Sequence, residues 1–222
     1  MGEFQGFPKG GAAFFAELAK KQDREWFKAN KARYEELWEE PMKALLADLQ
    51  AKLAKTFPGV ADVKPKVMRI YRDTRFAKDK SPFKTNIGAT LALSKDVRAP
   101  AFYVHGDAKT HFVACGAWTM EAPVLARFRA AVAGDDGEAF AASLKKLLAK
   151  GFDVHSHDRL KRVPAPWPQD HPRAELLKEK GFAIGYPKVP AALPASPEYV
   201  AWIVTQSRAA APVLEWLESA LA

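Results

Sequence analysis

The chain of 222 residues has a single cysteine, Cys115. No intrachain disulfide can form, which fits a reducing compartment. Neither neighbour of Cys115 is basic, so a small buried hydrophobe is expected there rather than a nucleophile. No continuous apolar run reaches the roughly 18 residues that a membrane span needs. The N-terminus lacks a signal-peptide pattern, and position 6 is Gly where myristoylation of Gly2 would want Ser or Thr. A cytoplasmic protein with no membrane partner is expected. The glycine-rich phosphate loops GxxxxGK[ST] and GxGxxG are absent, which counts against P-loop and Rossmann nucleotide binding. GxSxG is missing as well, and no CxxC pair exists to build the common zinc modules.

What is present describes a folded chain. Hydrophobic residues make up 48% and charged residues 27%, ordinary values for a globular protein. Six tryptophans offer large anchors for a core. The first sixty residues read as helices: Phe14, Phe15 and Leu18 on one, Asp23 capping a second, and Pro41 in the first turn of a third. The middle reads as strands over Val67–Arg72, Ile87–Leu93, Ala101–His105 and His111–Cys115, the last two forming a hairpin. Two further helices follow, one opened by Pro123 and one capped by Asp135 with Glu138. A short helix over 172–180, a strand over Phe182–Tyr186 and a last helix from Ser196-Pro197-Glu198 complete the chain, with Pro212 expected to kink or split the last. Helices at both ends around an antiparallel patch, without βαβ alternation, predict a single α+β domain.

The charge is uneven. The net charge is +8. Between residues 69 and 84 stand Arg69, Arg72, Arg75, Lys78, Lys80 and Lys84 against Asp73 and Asp79, leaving +4. Between 143 and 162, six cations against Asp153 and Asp158 leave another +4. Such clustering favours a phosphate-bearing partner over general solubility. The first stretch also carries Ile70, Tyr71, Phe76 and Phe83, so it has to pack. Stacking aromatics among cations are how single-stranded nucleic acid is held, although aromatics between strands equally serve a core. Asp73 and Asp79 fit two roles: orienting the guanidinium forks, or acting as base or metal ligand beside a phosphate. Trp26-Phe27 with Asn30-Lys31 could pack beside this stretch. His155 and His157, near Asp153 and Asp158, would make a metal site only if His105 or His111 lay close; no metal or cofactor is expected.

Three blocks of sequence resemble the domain of unknown function 2461 family of bacteria and fungi. They are WFKANKARYEELWEEP (Trp26 to Pro41), RIYRDTRFAKDKSPFKT (Arg69 to Thr85) and RVPAPWPQDHPRAELLKEKGF (Arg162 to Phe182). The second is the most specific, and the likeness runs over about residues 4–220. In the third block Ala165-Pro166-Trp167 departs from the phrase of Pro-Lys-Gly type that relatives carry, so no role is transferred to it. The resemblance implies one α+β domain and implies no activity.

On physical grounds the candidate ligand-binding residues are Arg69, Arg72, Asp73, Arg75, Asp79, Lys80 and Lys84, with Arg159, Lys161 and Arg162 extending the positive surface. The first expectation is a binder of a phosphorylated small molecule or nucleic acid. The second is an enzyme on a phosphate-bearing substrate, with Asp73 or Asp79 as base or metal ligand. The third is an interaction module in which the motif is an internal ion-pair network. The sequence leaves the oligomeric state open.

Overall fold

The computed structural model describes residues 3–75 and 78–222. Phe76 and Gly2, both weighed above, lie outside the described residues.

The helical opening follows its apolar spacing. Phe14, Phe15 and Leu18 are the buried stripe of α1 (Gly11–Lys21). Asp23 caps α2 (Arg24–Ala29): its carboxylate accepts from the Trp26 amide at 2.7 Å, satisfying one of the free N–H groups of the first turn. Next, α3 (Lys31–Tyr34) passes through a π-helical segment, Glu35–Glu39, into α4 (Glu40–Leu53). Pro41 accounts for the wide turn. It has no N–H to give the Leu37 carbonyl and its ring crowds that oxygen, so the helix widens just before it.

Six strands follow: β1 (Lys66–Val67), β2 (Asn86–Ala92), β3 (Ala101–Asp107), β4 (His111–Ala117), β5 (Asp153–His155) and β6 (Phe182–Gly185). They form one sheet in the order β1-β2-β3-β4-β6-β5, with every neighbouring pair antiparallel. Between and after them lie α5 (Ala122–Ala133), α6 (Asp136–Leu148), α7 (Ala174–Leu177) and α8 (Glu198–Leu221). The fold is α+β, with helices from both ends of the chain on one face of the sheet. There α1 packs on β3, α4 on β2 and α8 on β4. Strand alternation sorts the side chains. Phe102, Val104, Val113 and Cys115 are buried, while Tyr103, His105 and Ala114 face the other way and are partly exposed. Burial pushes the Cys115 thiol well above its ordinary pKa, in keeping with a core residue.

Several local expectations are corrected. The strand expected over Val67–Arg72 shrinks to β1 plus one bridge, Tyr71 to Phe83, because the pairing slips. The Met68 amide donates to the Gly88 carbonyl at 2.8 Å, whereas the Lys84 amide donates to the Ile70 carbonyl, also at 2.8 Å. Asp135 has helical backbone and makes no side-chain cap for α6. The helix expected over 172–180 is the single turn α7. Pro212 does not split α8, which runs unbroken. Pro212 and Arg208 are both exposed, so water can satisfy the Arg208 carbonyl that lacks an amide partner. Among the described residues, no helix is long and apolar enough to cross a membrane.

One half-buried residue set among core rings makes the fold sensitive to acid. The His111 ring stacks on Trp38 at 5.8 Å and meets Phe7 at 5.3 Å and the edge of Tyr199 at 6.3 Å. Its Nδ1 is buried without a hydrogen-bond partner. Burial lowers its pKa from 6.5 to about 4. Between those values the unfolded chain takes a proton that the folded chain refuses. Stability is therefore intact above about pH 6.5 and falls as the pH drops towards 4. Allowing for water at the ring edge, the loss at pH 5 is about 1–2 kcal/mol, or roughly 2–8 °C in Tm for a chain this size. Thermal unfolding at pH 7.5 and pH 5 should show this drop, and His111→Phe should remove it.

Candidate functional site

The described residues of the motif, 69–75 and 78–84, are the two arms of a hairpin that prolongs β1 and β2 beyond the sheet. The Arg72 amide donates to the Pro82 carbonyl at 2.9 Å, continuing the ladder irregularly. The hairpin is fastened to the helical layer by Gln22. The Phe83 amide donates to Gln22 Oε1 at 3.1 Å, and Gln22 Nε2 donates back to the Phe83 carbonyl at 3.3 Å. Gln22 ends α1 in the left-handed region, at φ 42°, which turns its amide towards the hairpin. Apolar packing reinforces the clamp: the Phe27 ring lies 4.5 Å from Phe83 and 6.0 Å from Tyr71. The Trp26-Phe27 block therefore does pack beside the motif.

The candidate residues divide by what they already hold. Asp73 accepts from Arg75 Nε at 3.0 Å and Nη2 at 2.7 Å, and the Arg75 fork keeps its carboxyl below the usual range. Asp79 accepts from the Ser81 amide at 2.9 Å, the main cause of its lowered pKa, and faces Arg72 Nη2 at 3.4 Å. Lys80 reaches across the loop to the Thr74 carbonyl at 2.8 Å. Arg72 Nη2 also donates to the Phe83 carbonyl at 3.3 Å, leaving its Nε buried without a partner. Arg69, Lys78 and Lys84 enter no ion pair with the described residues. Both Asp73 and Asp79 are exposed, each already engaged by its own loop.

The clamp also gathers charge that the sequence keeps apart. Residues 20–31 carry Lys20, Lys21, Arg24, Lys28 and Lys31 against Asp23 and Glu25, a net +3, and all seven are exposed. Gln22 and Phe27 lie within that segment and touch the hairpin, and Lys31, ion-paired with Glu35 at 3.0 Å, is near enough to Tyr71 for the two to interact electrostatically. Half-exposed Tyr71 stands among these cations. The second basic stretch does not join them. Arg159 follows β5, at the opposite edge of the sheet from β1, five strand spacings or about 24 Å away. Its guanidinium already pairs with Glu175 and Glu179, so the expected extension through Arg159, Lys161 and Arg162 is corrected.

The histidines are scattered. His111 packs half-buried against core rings, while His105 and His155 lie on the open face of the sheet, on β3 and β5. Among the described residues no three His, Cys, Asp or Glu side chains gather as a metal site. The open face holds something the sequence reading missed: a cleft of about 930 Å³ whose lining includes Tyr103, His105, Phe112, Trp118 and His155. Asp73 and Asp79 do not line it. The available signal was the alternation of Tyr103, His105 and Phe112, Ala114 on the polar side of the central hairpin.

These contacts rank two substitutions. Arg72 and Asp79 are 32% and 59% exposed, so their ion pair is worth at most about 1 kcal/mol. Arg72→Ala should cost no more than about 1–2 kcal/mol, short of the roughly 3–5 kcal/mol expected from a buried pair. Gln22→Ala strips both bonds from the Phe83 backbone and should cost at least as much, about 1–3 kcal/mol. Urea unfolding of the two variants checks the order.

Over residues 11–216 the sequence matches the family described as Conserved hypothetical protein (DUF2461). No curated protein and no solved structure matches the chain.

Proposed function

This chain belongs to the DUF2461 family, and we propose that it binds phosphate-bearing ligands, single-stranded nucleic acid above all, on the surface shared by the 69–84 hairpin and the 20–31 segment. The observation that carries the reading is the Gln22–Phe83 clamp, which joins two positively charged segments distant in sequence. Arg69, Lys78 and Lys84 supply cations that form no ion pair within 4 Å among the described residues. Tyr71 supplies an exposed ring on which a base can stack. Asp73 holds the Nε and Nη2 edge of Arg75, which fixes where that side chain's positive charge stands. The reading carries with it a cytoplasmic location, where nucleic acids are abundant and the lone thiol of Cys115 stays reduced.

Fluorescence anisotropy with a labelled single-stranded oligonucleotide tests this. With about four phosphates engaged, affinity should fall roughly 50-fold between 50 mM and 200 mM salt. The pair Arg69→Glu with Lys84→Glu should weaken binding at least about tenfold and flatten the salt slope. The pair Lys161→Glu with Arg162→Glu, at the far edge of the sheet, should leave both unchanged. Equal losses from both pairs, or no binding at 50 mM salt, would overturn the reading.

A further inference from the structure

We propose that the cleft on the open face of the sheet is a second binding site, for a small flat aromatic molecule carrying an O–H or N–H donor that meets Tyr103. This site is independent of the basic surface. Its volume, about 930 Å³, lies within the roughly 300–1,000 Å³ of small-molecule sites.

The cleft has a built polar end. Asp107 is fixed by the amides of Lys109 and Thr110, each at 2.7 Å, and by the Thr110 hydroxyl at 2.9 Å. Its other role is to receive His105 Nε2, at 3.1 Å. In a neutral ring that bond puts the hydrogen on Nε2 and leaves Nδ1 as an acceptor. The Tyr103 hydroxyl, 3.2 Å from Nδ1 and closer to it than the Asn86 amide at 3.5 Å, then donates to it. A phenol whose hydrogen is committed offers only lone pairs, so the complementary ligand group is a donor. The phenol has room because Gly88 lacks a side chain: a Cβ there would stand 2.8 Å from the Tyr103 oxygen. At the other end the His155–Asp153 pair, 3.0 Å apart, lies over Gly185.

Between these ends the walls are aromatic and the floor is low. The Phe112 ring stacks on His105 at 4.5 Å and 16°, yet remains 42% exposed. Trp118 is 55% exposed on the same rim. Ala114 faces Gly185, and Gly116 faces Ala183, across the β4–β6 pair. Those four small residues leave the depth that a ring can occupy, and exposed rings beside it favour an aromatic occupant by offset or edge packing.

The probe is 2-naphthol, two fused rings and one hydroxyl, added to the full chain. Amide shift changes should concentrate on β3, β4 and β6, with Trp118 fluorescence quenched. Ala114→Leu, which fills the floor, should weaken binding at least tenfold. Tyr103→Phe should weaken 2-naphthol about fivefold while leaving naphthalene unaffected, a split that a merely unfolded variant would not give. Shift changes lying elsewhere, unchanged affinity in Ala114→Leu, or a Tyr103→Phe loss shared by naphthalene would overturn the proposal. So would sedimentation showing a dimer whose formation excludes 2-naphthol.

Discussion

All the large helices of this protein lie on one face of one antiparallel sheet, and that asymmetry fixes what every strand residue can be. On the covered face, Phe102, Val104, Val113 and Ile184 meet the rings and leucines of the helices and exclude water. Among the described residues no helical layer packs on the other face, so its residues need not be apolar. Tyr103, His105, Asp107, Asp153 and His155 stand there in hydrogen-bonded pairs. The same alternation therefore produces both the core and the polar ends of the cleft.

The helical layer also decides where the basic hairpin stands. Only β1 and the first residues of β2 tie the hairpin to the sheet, and the ladder beyond them is irregular. Its orientation comes from Gln22 and from Phe27 packing against Tyr71 and Phe83. Carboxylates inside the loop hold Arg75, Arg72 and Lys80 locally or leave them to backbone carbonyls, so the loop's own ion pairs contribute little to global stability. The burial of Phe83 does more, since apolar area removed from water is the larger favourable contribution.

Much of this fold could be read from residue spacing. The stripe of Phe14, Phe15 and Leu18, the Asp23 cap, the hairpin of β3 and β4 and the long last helix are all where local patterns put them. The misses share a cause, which is that the deciding partner is remote. Nothing local to Val67–Arg72 reveals the slip against 82–88, and the exposure of Pro212 depends on which side of α8 meets the sheet. The charge clusters at 69–84 and 143–162 look equivalent in sequence, yet strand order sends the Arg159 end of the second to the opposite edge of the sheet. The cleft was illegible because its making is subtractive: Ala114, Gly116, Ala183 and Gly185 carry no chemistry and matter only as neighbours.

The Gln22–Phe83 clamp bears on the order in which the molecule assembles. It joins residues 61 apart, so closing it before either side is formed would sacrifice the freedom of a long loop for two hydrogen bonds. The α1–α2 turn, by contrast, is built from neighbours. Local segments organise first and distant pairings follow, because chain entropy penalises early long-range contacts. The basic hairpin thus belongs to the late part of folding, when the helical layer is already there to receive it. Until then its aromatic residues and its cations remain together on a single unshielded strand, and the charge on that strand itself opposes premature association with another copy.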